Sequence, residues 1–470
     1  MKTKKILVSA ALLAACMTAP AQGLLTGYFV DNYKYGHKLN PAFASDQSYA
    51  GILLSDIQFG ISSSFGANSI YHQLPNGKTA YFLHPDISAD DAMKQFSQNN
   101  YLSQTLDYNL VNVGINMKHS DYLTIDLSLK ERFDINIPYE FFEFLKVGMN
   151  GASSRYDIEN LQIYQHAIVE LAGGYSRDIK AVPGGLRVGG KVKFQVIADD
   201  ACLNISNMDI TMGQDAWVVR SKAYGAAHVG GLKLTTDQDG YVDGVDFDVS
   251  KLGIAGMGVA LDLGASYSFN GIIDGLEASV ALQDLQLFRS FSDNAVYAES
   301  DENTFTFNGF QDLTFQDDDK IEDRADQIAD DAKELVKLKP ADAPKNISGI
   351  KTATPTLTIA ARYKFLHNMM SAGLLYRGEY NNLRSSNILM ANWNFAPKRW
   401  FNISLSALLF EESAYFGWLI NLTPKCGLNL FVGMDGVPMH LSSSFIPTER
   451  LYSTVQMGIT IPFGAIESHR

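Results

Sequence analysis

The chain has 470 residues, with 38 Lys+Arg, 51 Asp+Glu and a formal net charge of −13. That acidic balance, with no basic cluster, excludes the electrostatic footprint of a nucleic-acid binder. Beyond the first segment no apolar run reaches the about 18 residues of a membrane helix, so a helical inner-membrane protein is excluded as well.

Lys2, Lys4 and Lys5 precede the apolar run Ile6 to Met17, and Ala19-Pro20-Ala21 supplies small residues beyond it. This predicts a secretory signal peptide over residues 1–21, cut after Ala21. A second processing route is open at Leu13-Ala14-Ala15-Cys16, which has the form of a lipoprotein box with Cys16 as the lipidated residue. With residues 1–21 removed, 35 basic residues stand against 51 acidic ones. Of the remaining cysteines, Cys202 and Cys426 form no CxxC pair. They are compatible with one disulfide in an oxidising compartment or with two free thiols.

From about residue 51 the hydropathy pattern has a period of two. In Met257 to Phe269 the odd positions are Met, Val, Leu, Leu, Ala, Tyr and Phe, and the even ones are Gly, Ala, Asp, Gly, Ser and Ser. Leu123, Ile125, Leu127 and Leu129 alternate with Thr124, Asp126, Ser128 and Lys130, and Leu357 to Phe365 and Val455 to Phe463 behave alike. Successive side chains of a strand point to opposite faces, so each segment separates two unlike environments. Segments of this length exceed the usual soluble strand and match the about 9–11 residues of a tilted membrane-crossing strand. Aromatics at segment ends, among them Tyr175, Phe269, Phe365, Trp393, Trp400 and Phe463, suit an interfacial girdle. The expected fold is all-β, a transmembrane antiparallel β-barrel of about 14–16 strands spanning 51–464, with a tail at 465–470. Candidate strands are 52–65, 104–117, 121–137, 160–176, 186–199, 215–229, 256–269, 275–287, 304–310, 353–365, 370–380, 387–395, 400–410, 413–422, 427–435 and 452–463.

Short turns at 118–120, 366–369, 396–399 and 423–425 are expected on the periplasmic side, and the long connections 66–103, 138–159 and 436–451 outside. Three loop helices are predicted. Ser88 with Asp91 caps one over 89–98, and Pro138 opens another over 139–146. The third lies in the acidic segment 316–346, where Ile321, Ala325, Ile328, Ala332, Leu335 and Val336 form a stripe at helical spacing; it is expected to be extracellular. Asp237-Gln238-Asp239-Gly240 shares features with a calcium loop, but Thr235 stands where the first acidic ligand is needed, and a hairpin turn at Asp239-Gly240 explains the segment.

In a barrel with its oily side outward, Asp126, Lys191, Lys193, Asp262, Glu277, Arg362 and Lys364 are candidate lumen-lining residues. No HExxH, GxSxG, Walker A or dinucleotide fingerprint occurs, so no enzyme, cofactor or metal site is expected.

Asn40-Pro41-Ala42-Phe43, ahead of the first strand, resembles the Asn-Pro-Ala element of FadL-like barrels and of PorP/SprF-like outer-membrane proteins of Bacteroidota. Gly256 to Tyr267 looks like a recurrent strand of those groups, and Tyr81 to Ser88 is similar to an uncharacterised Bacteroidota barrel family. The resemblance covers most of the mature chain in outline. It implies an outer-membrane location and an N-terminal plug in 22–50 carrying Asn40, Pro41 and Ala42. It also implies either a channel for small hydrophobic molecules or an interaction barrel without transport. Lipid, and a surface or periplasmic protein, are the implied partners. Phe463 is followed by seven residues, a departure from barrels that end on an aromatic residue.

Overall fold

The two-residue period becomes fourteen wall strands. The computed structural model describes residues 23–464 except 32, 118–119, 151–152, 214–216, 252, 293–294, 301–304, 308–335, 346, 348–353, 381–383, 412, 425–426 and 438–449. The strands are β1 (Ser48–Ser63), β2 (Asn99–Asn116), β3 (Tyr122–Pro138), β4 (Ser153–Ile179), β5 (Leu186–Gly213), β6 (Gly256–Ser268) and β7 (Leu276–Phe291). They continue with β8 (Thr356–Phe365), β9 (Met370–Glu379), β10 (Ser386–Lys398), β11 (Phe401–Phe410), β12 (Ser413–Leu422), β13 (Asn429–Val437) and β14 (Leu451–Phe463). Each pairs antiparallel with its sequence neighbour, and β14 returns to pair with β1, from Ser48 opposite Phe463 to Ser63 opposite Leu451. Each wall strand thus has a hydrogen-bonded neighbour on both sides, which is what a sheet in hydrocarbon requires.

The outer face is apolar all the way round. Leu374 is 62 % exposed and Ile461 58 %, whereas the inward Asp262 is 1 % exposed. Phe194, Met257, Ile359, Leu389, Leu409 and Met457 belong to the same outward set. A continuous apolar band of this kind is foreign to soluble monomers and is the lipid-facing surface of a membrane barrel. Tyr267 and Phe269, Tyr363 and Phe365, and Trp393 and Phe395 form ring pairs at the end of the barrel that carries the short turns. Both the start of β1 and the end of β14 lie at that end.

Within the candidate strands 215–229 and 304–310, Trp217–His228 and Phe305–Phe307 are strands but do not enter the wall. Trp217–His228 pairs with the outer half of β5, Asp200 to Met212, while the inner half of β5, Leu186 to Ile197, pairs with β6. Residues Phe305–Phe307 and Val296–Glu299 then pair with Trp217–His228. β4 and β5 run to 27 and 28 residues because their outer portions continue past the wall into this raised sheet.

Two of the three expected loop helices are seen, at the outer end. Ser88 Oγ accepts the Asp91 N–H at 3.1 Å and caps the short helix Ala89–Met93. Tyr139–Val147 forms the second, with Pro138 as its N-cap residue rather than inside its first turn. Phe142 on that helix stacks on Phe96 at 4.0 Å, and Phe144 packs against Tyr156 and Trp217, so the helix is wedged between an outer loop and the raised sheet. Asp237 Oδ1 accepts the N–H groups of Asp239 and Tyr241, and Gly240 has φ +81°, which makes the segment the turn of the hairpin Leu232–Thr236/Val242–Phe247. Residues 1–22, most of the acidic segment 316–346, Cys426 and the tail 465–470 lie outside the described residues; Lys339–Pro340 pairs with Ala298–Glu299.

Candidate functional site

The segment from Gly23 to Gln47 lies inside the barrel and touches strands on every side. Asp435 on β13 accepts the N–H of Leu25 at 2.5 Å and the hydroxyl of Thr26. Arg362 on β8 pairs with Asp31 and donates from Nη1 to the carbonyl of Phe29 at 2.7 Å. Lys38 meets Asp56 of β1 at 2.7 Å and Asp107 of β2 at 3.3 Å. Gln283 of β7 donates to the Lys38 carbonyl at 2.8 Å. The segment has almost no regular structure, so its backbone groups need such partners from the wall.

Asn40, Pro41 and Ala42 dock on the wall through shape. Asn40 is fully buried; its Oδ1 accepts the Ala42 N–H at 2.9 Å and its Nδ2 donates to the Val280 carbonyl at 3.2 Å. The element rests on Gly189 of β5 and Gly264 of β6, which face each other across the strand pair. A Cβ at either glycine would occupy the space of Asn40 or Pro41, so these two positions admit the close approach only as glycine.

The lumen divides into two chemistries. On β9 to β14, Leu375, Ile388, Met390, Leu408, Phe410, Leu419, Phe431 and Tyr452 gather around Leu24, Leu25, Tyr28, Phe29, Tyr33, Tyr35 and Leu39 of the inserted segment. Tyr33 meets Phe431 edge to face at 5.3 Å. On β1 to β8 the inward positions carry charge. Asp126 accepts from Lys191 Nζ at 2.9 Å and faces His37 Nε2 at 3.1 Å. Lys193 sits between Asp262 at 2.8 Å and Asp284 at 2.7 Å, and Lys130 meets Glu170 at 2.6 Å. Arg362 and Lys364 both pair with Glu277 and Asp31. Burial and the nearby Lys191 hold His37 below the usual imidazole range, although Asp126 acts the other way. The contact with Asp126 lies beside the Lys191–Asp126 ion pair, and His37 Nδ1 faces the Lys34 carbonyl at 3.1 Å.

All seven candidate lumen residues thus point inward into ion-paired clusters. The structure adds partners that were not singled out from sequence: His37, Lys38, Asp56, Asp107, Lys130, Glu170, Asp284 and Asp435. Lys130 had a signal, since it shares the phase of Asp126 on β3. His37 and Lys38 had none, because they lie on a single helical turn, Gly36–Leu39, too short to leave a periodic pattern.

Above the inserted segment lies a cavity of about 200 Å³, lined among others by Lys130, Arg132, Glu170, Arg289, Arg377 and Glu379. Charged and hydroxyl-bearing side chains line it together with apolar ones such as Ile61 and Ile168. Below it a smaller gap of about 80 Å³ adjoins Tyr35, Lys38, Asp126 and Lys191.

The wall beside the inserted segment is interrupted. Ala50 faces Ile461 and Ile57 faces Met457, so seven steps along β1 match four along β14. The surplus residues bulge outward: Ile52 is 71 % exposed, Leu53 has φ +57° and Leu54 is exposed. Immediately behind them the Tyr35 hydroxyl donates to the Ser55 carbonyl. Three consecutive apolar residues break the alternation here, a signal visible in the sequence.

A family model described as a family of unknown function, DUF5723, matches residues 41–435. The chain belongs to this family. No curated protein matches it. Among solved structures, it is similar in outline to the toluene transporter TbuX of Ralstonia pickettii, with 7 % identity, coverage of 92 % of this chain and 95 % of that one, and a TM-score of 0.43. The toluene transporter TodX of Pseudomonas putida gives 9 % identity, 92 % and 93 % coverage and a TM-score of 0.41. A triple mutant of the Rhodopseudomonas blastica porin gives 7 % identity, 88 % and 100 % coverage and a TM-score of 0.22. For this DUF5723 chain the barrel is established by its own strand pairing and outward apolar band.

Proposed function

We propose that the mature chain resides in the outer membrane as a FadL-like channel for small, mostly apolar molecules, held shut by residues 22–50 acting as a plug. It is read as a transport protein and not as an enzyme. The observation that carries the reading is the bulge in β1, which sets Ile52, Leu53 and Leu54 in the lipid-facing band directly over a plug residue. A molecule leaving the lumen there would pass sideways between strands into hydrocarbon and not out through an end of the barrel, which suits an apolar cargo.

The test is permeation into proteoliposomes of the full-length mature barrel, of a variant lacking residues 22–50 and of one lacking Ile52 to Leu54. The three-residue deletion restores the inside–outside alternation of β1. The intact protein is expected to pass radiolabelled toluene with little ion conductance. Loss of 22–50 should open ion conductance, and loss of 52–54 should return toluene permeation to the rate of empty vesicles. Toluene and ion fluxes at the empty-vesicle rate for all three proteins would sink the channel reading.

That result would favour the second reading, an interaction barrel serving surface or secretion machinery. The raised sheet of β4, β5 and Trp217–His228, standing beyond the wall, supports it as a platform for a protein partner.

A further inference from the structure

We propose that the cavity between the plug and the outer loops binds a small oxyanion, a carboxylate or phosphate group, on the guanidinium of Arg377. This goes beyond the channel reading and does not depend on it.

Arg377 sits on β9 opposite Thr358 of β8 and Ile388 of β10, pointing inward. It is 8 % exposed and lines both the upper cavity and the gap over the plug. Its Nε has no hydrogen-bond partner, and its one hydrogen bond among the described residues is a long one, Nη1 to Thr358 Oγ1 at 3.5 Å.

The neighbouring cations are in a different condition. Lys130 has Glu170 at 2.6 Å, Arg132 has Asp134 at 2.5 Å and Glu379 at 3.2 Å, Arg289 has Asp200 at 3.1 Å, and Arg384 has Glu411 at 2.7 Å. Among the described residues, Arg377 is the one cation lining the cavity without a carboxylate in ion-pair range.

Nor is a cavity carboxylate left over for it. Glu379, two residues along the same face, is engaged by Arg132; Asp284 is engaged by Lys193 and Asp107 by Lys38. Glu131 accepts from Gln165 Nε2 at 2.7 Å.

A guanidinium cannot shed its proton at any working pH, so it cannot escape the cost of burial by becoming neutral. A buried cation without a counter-charge is unfavourable unless something supplies one. The free edge of Arg377 offers parallel N–H donors, the fork that matches a carboxylate or phosphate. The space before it is an open cavity with other charged side chains in its lining and not packed side chains, so a counter-ion has somewhere to sit.

Isothermal titration of the detergent-folded full-length barrel with benzoate and with inorganic phosphate tests this. One-to-one binding of at least one probe is expected, weakening as salt is raised. Arg377→Gln should weaken it about tenfold or more. Arg377→Lys, which keeps the charge but loses the fork, should fall in between and serves if the glutamine variant does not fold. Binding of benzoate alone assigns the site to carboxylates, and of phosphate alone to phosphates. No one-to-one binding of either probe, or binding unchanged in both variants, overturns the proposal. The readout is taken on protein in detergent, so it stands apart from toluene permeation.

Discussion

The half of the barrel built from β1 to β8 and the half built from β9 to β14 hold the same inserted segment with different chemistry. The first offers Asp56, Asp107, Asp126, Lys191, Lys193, Asp262, Arg362 and Lys364, each tied to a partner. The second offers Leu375, Ile388, Met390, Leu408 and Phe431, with Asp435 as a polar anchor. An apolar surface binds without direction and tolerates small shifts. A buried ion pair is weak evidence for stability, yet it is costly to break on one side only, and so it fixes position. The charged half therefore sets where the segment sits, and the apolar half supplies cohesion.

This contrast can be broken most strongly at Lys191. Lys191→Met removes the lysine ion pair from the buried Asp126, and should lower the stability of the folded barrel by about 4 kcal/mol. Asp126→Asn combined with Lys191→Met should recover most of that loss. The readout is the urea midpoint followed by heat-modifiable mobility; a double variant as unstable as the single one would show that the cost is not an unpaired charge. On the other half, Leu375→Ala should cost about 3 kcal/mol through transfer and cavity terms, with no partner mutation able to restore it. A loss well under about 1 kcal/mol in the same assay would mean that the apolar half is loosely packed.

The smallest expected effect is on pH. His37 is held below its ordinary value, chiefly by burial and then by Lys191, so the folded barrel prefers it neutral. The unfolded chain takes up the proton near pH 6.5. The contribution is thus fully present above that pH and is lost as pH falls toward the folded value. Lowering the pH from about 7.5 to about 5 should shift the urea midpoint down more in the native protein than in His37→Gln. Equal shifts in the two proteins would remove His37 from the account.

Much of the wall could be read from residue order. The outward and inward sets of Met257 to Phe269 lie where alternation puts them, and so do those of Leu357 to Phe365. The fate of 215–229 could not be read, because a period of two reports the two faces of a strand and is silent about its neighbour. β5 shows why: one continuous strand pairs with β6 below and with Trp217–His228 above. The β1 bulge left a trace in Ile52-Leu53-Leu54, but how many residues it displaces depends on β14. Arg377 shared the alternating phase of an ordinary inward residue, and its lack of a carboxylate emerges only once every neighbour has a position.

The sequence by itself determined that these strands have one oily and one polar side and that short turns fall at one end. These are local properties, set by side-chain identity at alternate positions of an extended backbone. Tertiary structure decided that fourteen strands close the wall, that residues 23–47 fill the lumen and that each buried charge meets a particular partner. Asp126 shows the reason: its neighbours His37 and Lys191 come from a helical turn of the inserted segment and from a separate strand, and only closure of the barrel brings them within reach.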